Sequence, residues 1–334
     1  MDLVTQGIVG AAMASSAAPA EEHRRAALIG LGAGLLPDAD TLIRSTEDPL
    51  LVLEYHRHFT HALVMVPIVA LVAAAVFWLI VRRLFDEWRV PFGRTYGYAL
   101  LGTSLAGVLD ACTNYGTHLW WPFLDAPVAW SIISILDPAF TLLLAVPLGV
   151  GLVRRQRQVV RWGLALAAGY LLLGLVQHQR AEAVAQEWAR ERGHATARLI
   201  VKPTIANLVL WRALTITEDR VFADAVRVGI GSSRTYPGTS APLFDADSVE
   251  APAAVERDVQ RFVHFADGVV VRHPERPRVI GDARFSMLPT TLTPLWGLAV
   301  DPSADPPVRR VTDRSLSPEE REQFVAMLLG RPLP

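Results

Sequence analysis

From Ala62 to Val81 the chain carries no charged residue, and Arg82 and Arg83 then end the run. Twenty apolar residues are what one helix needs to cross the hydrocarbon core of a bilayer. Inside lipid every backbone polar group must be satisfied internally, so such a run has one conformation open to it, and the polar residues at its ends are held at an interface. Three further runs share this character. Tyr96 to Cys112 is charged only at Asp110, Ser131 to Val153 holds Asp137 near its start, and Trp162 to Val176 leads into Gln177-His178-Gln179-Arg180. The whole chain is 51% hydrophobic and 19% charged, too apolar for an ordinary soluble enzyme. Four long spans are therefore expected within residues 1–178.

Two shorter apolar stretches precede them. Leu3 to Ala20 is rich in small residues and Ala26 to Leu36 carries Gly30, Gly32 and Gly34. Small residues let helices approach closely in lipid, so the pair reads as a tight hairpin turning at Glu21–Arg25. No Lys or Arg precedes the first stretch, which argues against a cleaved signal peptide. Arg82, Arg83, Arg89 and Arg94 follow the first long span, and Arg154, Arg155, Arg157 and Arg161 precede Trp162. Basic loops face the cytoplasm, which orients the spans of a multi-pass membrane protein. Alternating spans then put Asp2, Asp38, Asp40, His56, His61, Asp110 and His118 together near the extracytoplasmic face.

Beyond Gln177 charged residues, prolines and short β-type runs appear, such as Asn207–Trp211 and Gly268–Val271. They predict a strand-rich extramembrane domain over 179–334, on the same side as the polar cluster, after a helical stretch at Arg180–Arg192. Ser317-Pro318-Glu319-Glu320 reads as a helix start. The fold class expected is α+β, a polytopic helical membrane domain followed by this outer domain. A net charge of -1 points away from a nucleic-acid partner, and the single cysteine, Cys112, excludes a disulfide framework or a cysteine-rich zinc site.

Any metal must therefore rest on histidine and carboxylate. Asp38 and Asp40 lie on an irregular turn after Leu36-Pro37, where both can face a cation or serve as a helix cap. His56 and His61, in His56-Arg57-His58-Phe59-Thr60-His61, stand roughly 140° apart on a regular helix, so one ion takes both only if the segment is a turn. Asp110, at the end of an apolar run, needs either an arginine or a cation. His58 and His118 stay open as ligands, supporting residues or surface groups. Trp120 and Trp121 read as an interfacial aromatic belt.

These motifs together resemble a known family. Met1-Asp2-Leu3-Val4-Thr5-Gln6, Pro37-Asp38-Ala39-Asp40, the His56–His61 segment, Leu109–Thr117 and Trp121-Pro122-Phe123 look like the YdjM-type membrane-bound metal-dependent hydrolases of bacteria. So do Ile135-Leu136-Asp137-Pro138, Pro203–Asn207, Leu210-Trp211-Arg212 and His264–Gly268, as in the long members of that family. The resemblance implies a divalent metal held by Asp38, Asp40, His56, His61 and Asp110. Relatives often carry histidine in place of Gln6 and Ala106, glycine in place of His58 and serine in place of Ala62. The change at Ala106 leaves the ligand set one imidazole short unless His58 or His118 supplies it.

The expected activity is hydrolysis at the membrane surface, of a lipid or lipid-linked phosphoester. Zinc or manganese suits the mixed nitrogen and oxygen donors, and magnesium is admitted by the carboxylates. Asp40 is the expected general base, and Arg57 the group that stabilises negative charge on the substrate. The alternative is a non-enzymatic membrane protein with a structural metal site and an outer domain that senses or binds a partner. A transporter fits less well, because its charged residues would sit at mid-membrane on broken helices.

Overall fold

The glycines of the first two helices decide how closely the chain's first hairpin packs. In the computed structural model, which describes residues 1–84, 90–194, 198–248 and 251–333, α1 (Leu3–Ala17) and α2 (His23–Leu35) lie against each other. A Cβ added at Gly30 would come 2.2 Å from the Gly10 carbonyl oxygen. The turn occupies Ala18–Glu22, slightly ahead of the position expected from Glu21–Arg25. Asp2 caps α1, accepting the Thr5 N–H at 3.0 Å. Beyond the short α3 (Leu51–Tyr55) and the 3-10 segments around it, α4 (Val66–Leu84) and α5 (Phe92–Thr103) complete this bundle, with Ala70, Ala74 and Ala99 buried among Ala14, Ala26, Ile29 and Ala33.

Two helices among the described residues are long and apolar enough to cross a bilayer, one at Leu63–Ile80 and one within α8 (Arg157–Glu191). Ile68, Leu71, Val72, Val76 and Leu79 of the first, and Trp162, Leu166, Leu172 and Leu173 of the second, are exposed, as residues facing lipid are. Arg89 of the expected basic loop lies outside the described residues.

The other two expected spans differ from the sequence reading. Tyr96–Cys112 is not one helix: α5 ends at Thr103 and α6 (Ala106–Ala111) starts afresh. The break has a local cause. Thr103 Oγ1 donates to the Ala99 carbonyl at 2.9 Å and Ser104 Oγ to that of Leu101 at 2.8 Å, side-chain bonds that compete with the helical ladder. Ser131–Val153 begins irregularly, and α7 (Pro138–Arg154) starts only where Asp137 caps the Phe140 N–H at 3.1 Å and Pro138 takes the first position. At about 1.5 Å per residue, 17 residues of helix reach roughly 25 Å, somewhat less than the core of a bilayer.

The chain divides into two units, the first comprising Met1–Ile43, Tyr55–Leu175 and Ile205–Asn207, the second Arg44–Glu54, Val176–Thr204 and Leu208–Pro334. With helices in its N-terminal part and antiparallel sheets in its C-terminal part, the fold is α+β. One sheet of the second unit runs β1 (Arg198–Pro203), β2 (Leu210–Ile216), β3 (Arg220–Val228), β4 (Ser233–Tyr236), with β5 (Ser240–Pro242) also on β3. The other runs β6 (Val270–Arg272), β7 (Val279–Asp282), β8 (Trp296–Val300), β9 (Val308–Thr312). Leu214 and Val221 of the first meet Val271 of the second in one core.

Three helices cover these sheets. Ala181 and Ala185 of α8 pack on Val201, Trp211 and Val226. The buried face of α9 (Ala253–Phe265), with Val259 and Phe262, lies on Ile280 and Leu298, and Leu50 and Leu53 join the same core. Arg261 of α9 holds the 44–54 segment, pairing with Asp48 at 3.0 Å and Glu54 at 2.7 Å. The last helix, α10 (Pro318–Leu329), begins as read from sequence, with Ser317 and Glu320 forming a capping box.

The hairpin packing is open to a direct check. Gly30→Ala is expected to lower stability by about 1–3 kcal/mol through overpacking, whereas Gly32→Ala, which meets nothing within 4 Å, should leave it unchanged or slightly raised. Thermal unfolding of the two variants in detergent measures the difference.

Candidate functional site

Pro37 converts the end of α2 into a turn. With no N–H to continue the α-helical ladder, the chain tightens into a 3-10 helix over Pro37–Leu42. At 3.0 residues per turn, side chains two apart diverge by about 120°. Asp38 and Asp40 are both buried and do different things.

Asp40 faces the His56–His61 segment. Its Oδ1 meets His56 Nδ1 at 2.9 Å, and its Oδ2 accepts the Arg57 N–H and the Thr60 hydroxyl, each at 2.8 Å. His61 Nδ1 lies 3.2 Å from the same oxygen. Burial works against this carboxylate, but the bonds from His56 and His61 outweigh it and hold its pKa well below the usual carboxylate range. The segment reaches Asp40 because it is a turn: Phe59–His61 is a 3-10 helix, and Arg57 adopts φ 62°, a left-handed conformation that costs a non-glycine residue about 1 kcal/mol.

Asp38 faces the other side of the His61 ring. His61 Nε2 lies 3.0 Å from Asp110 Oδ2 and 3.5 Å from Asp38 Oδ1, and one donor atom from each residue falls within 4.8 Å of the others. Among the described residues, His61 Nε2, Asp38 Oδ2 and Asp110 Oδ2 are buried without an aligned hydrogen-bond partner. Buried polar atoms are rarely left so, and convergent imidazole and carboxylate donors suit a divalent cation. Burial disfavours the imidazolium, but the Asp110, Asp38 and Asp40 carboxylates outweigh it and push His61 up to about 10.

Asp110 is brought in by α6, whose Gly107 sits where a Cβ would lie 2.1 Å from the His61 carbonyl oxygen. Its Oδ1 takes the Arg57 guanidinium at 3.2 Å and lies against the Met1 amino group. Arg57 also donates to Thr113 Oγ1 at 2.9 Å and stacks over Tyr115. Gln6 donates to the Ala106 carbonyl at 3.2 Å, so the two positions where the family resemblance suggests histidine are neighbours here.

The structure thus brings Asp38, His61 and Asp110 to one point, with Asp40, His56 and Arg57 around them. His58 and His118 do not join; they meet each other and Asp125. Thr60 and Thr113 were missed from sequence although both lie inside quoted motifs, because a threonine hydroxyl gives no signal until its acceptor is known. Beside the trio opens a cleft of about 570 Å³, lined by Asp38, His56 and Arg57 and by apolar residues including Leu3, Leu35, Leu42 and Ile135.

Residues 1–181 match the family described as YdjM inner membrane protein. The chain belongs to this family. No curated protein and no solved structure matches it. The matched region holds every site residue described above, and the family is one of inner membrane proteins. Two of the segments that carried the resemblance are accounted for locally. Asp137 is a helix cap, and the Ala206 N–H bonds to the Leu136 carbonyl at 3.1 Å, so the Ile135–Pro138 and Pro203–Asn207 motifs meet.

Removing the shared acceptor should be costly. Asp40→Ala is expected to lower stability by about 3 kcal/mol, since its buried donors lose their partner, against about 1 kcal/mol for the cap change Asp2→Ala. Because the Asp40 pKa is depressed in the folded state, its contribution is complete above about pH 4 and fades as pH falls below that. Denaturant unfolding of both variants at pH 7 and pH 3.5 checks size and sign.

Proposed function

We propose that this protein is a membrane-bound, metal-dependent hydrolase in which Asp38, His61 and Asp110 hold one divalent cation. The observation that carries the reading is the convergence of three buried residues, one donor atom from each within 4.8 Å of the others, where Asp38 Oδ2, His61 Nε2 and Asp110 Oδ2 lack an aligned hydrogen bond. Zinc or manganese suits the donors best, and magnesium is admitted by the carboxylates. When bound, such a cation supplies Lewis acidity and a water of lowered pKa.

The surrounding residues then take distinct parts. The Thr60 hydroxyl and Asp40 Oδ2 engage His61 Nδ1 at 3.0 and 3.2 Å, so that Nε2 is the nitrogen that would hold a cation. Engaged by His56, Arg57, Thr60 and His61, Asp40 is poorly placed to act as the general base itself. His56 is better placed. Its ring is 23% exposed, it lines the cleft, and its Nδ1 rests on Asp40, an orientation that prepares Nε2 to accept a proton. Arg57 holds Asp110 in position, and its charge, lining the same cleft, favours an anionic substrate.

The apolar share of the cleft indicates what kind of anion. Leu3 and Leu42 are well exposed beside Asp38 and His56, a combination that fits a phosphoester carrying a lipid tail. With the basic loops cytoplasmic, the site and the C-terminal domain face the extracytoplasmic side of the inner membrane.

Hydrolysis of a long-chain lipid phosphate monoester in mixed micelles, with zinc, manganese or magnesium added, tests the reading. His56→Ala is expected to lower turnover by about 10²–10⁴-fold with metal content unchanged. No turnover with any of the three ions, or full turnover in the variant, would count against the catalytic assignment; loss of metal and fold together on Asp38→Ala would favour a structural site.

A further inference from the structure

On the other side of the Arg57 backbone lies a second cluster. The Arg57 carbonyl accepts the His118 N–H at 3.0 Å, which sets His58 and His118 next to each other although 60 residues separate them in sequence. An isolated bridge between Thr117 and Val128 folds the intervening loop back on itself, carrying Asp125 to the two rings. His58 Nε2 lies 3.3 Å and His118 Nδ1 3.0 Å from the same oxygen, Asp125 Oδ1. The ring centroids are 4.5 Å apart, and one donor atom from each of the three residues falls within 4.8 Å of the others.

Both ring nitrogens are directed at one point that the carboxylate also faces. Two imidazole nitrogens and one carboxylate oxygen form a donor set for zinc and related transition ions, whereas magnesium and calcium prefer all-oxygen shells. Ring contacts help hold the geometry: Tyr55 and Trp121 flank His58 at 5.9 and 5.8 Å. The His58 and His118 side chains are 18% and 20% exposed while Asp125 is 73% exposed, so the carboxylate side is open to water.

We infer that His58, His118 and Asp125 form a second, exchangeable transition-metal site, separate from the Asp38, His61 and Asp110 trio and independent of the hydrolase reading. It shares no ligand with the trio. Three protein ligands leave a coordination position for water, and an ion there cross-links the His56–His61 turn to the loop after His118. The predominance of nitrogen donors makes zinc the expected occupant.

Zinc binding by the full-length chain in detergent, purified without a histidine tag and stripped with chelator, tests the site. Equilibrium dialysis counts the ions, and cobalt substitution followed by visible absorption reports their ligands. His58→Ala/His118→Ala is expected to bind one zinc fewer than the wild type and to lose one cobalt absorption component; Asp125→Asn, altering an exposed side chain, should weaken that same ion tenfold or more. Asp38→Asn/His61→Ala should keep it. Equal zinc counts and cobalt spectra in the wild type and the His58→Ala/His118→Ala variant would overturn the second site. Equal counts in the wild type and the Asp38→Asn/His61→Ala variant would instead speak against the trio, so the two assignments fail separately.

Discussion

The buried carboxylate of Asp40 is the tie on which the first unit's polar architecture depends. It joins two segments that sequence separates, the turn after α2 and the His56–His61 turn, through a backbone N–H, a hydroxyl and two imidazoles. In a low-dielectric setting a carboxylate is tolerated only when so supplied, and once supplied it fixes its donors in return. His61 is oriented through the Thr60 hydroxyl, which meets its Nδ1 at 3.0 Å and donates to Asp40, and its opposite nitrogen then meets Asp38 and Asp110. The fold reaches the same point from the other direction. Gly107 lets α6 approach the His61 carbonyl closely, and that approach delivers Asp110.

Electrostatics explains why the arrangement suits a cation. Asp38, Asp40 and Asp110 are buried together, while Arg57 and the Met1 amino group both lie on one oxygen of Asp110. His61 Nε2 lies 3.5 Å from Asp38 Oδ1 and 3.0 Å from Asp110 Oδ2, and Asp38 Oδ2 and Asp110 Oδ2 have no aligned donor. Two alternatives were open for Asp110 from sequence, an arginine partner or a cation. Its two oxygens divide the work, with Oδ1 on the arginine and Oδ2 toward the trio.

What was legible in the sequence was legible for physical reasons. The span at Leu63–Ile80 announces itself because nothing but a helix survives twenty apolar residues in lipid. The hairpin is readable from Gly30 and Gly34, since close approach has a direct small-residue signature, whereas Gly32, part of the same reading, meets nothing within 4 Å. The break after α5 is not readable, because Thr103 and Ser104 are ordinary in helices until their hydroxyls are seen bonded back to the ladder. The division of labour between Asp38 and Asp40 is hidden for a similar reason: it depends on a 3-10 rather than an α turn. Asp125 was invisible because only a chain reversal at Thr117 and Val128 brings it to the histidines. In the second unit the Asn207–Trp211 run marks a real strand but misplaces its start, which falls at Leu210.

The central claim is that the trio holds a divalent cation. Elemental mass spectrometry on detergent-purified protein, prepared without chelator and tested in a His58→Ala/His118→Ala background to isolate the trio, addresses it most directly. Near-stoichiometric zinc or manganese is expected, lost when Asp38→Asn and His61→Ala are added while the protein stays folded. A folded background protein that takes up none of the added zinc, manganese or magnesium would contradict it.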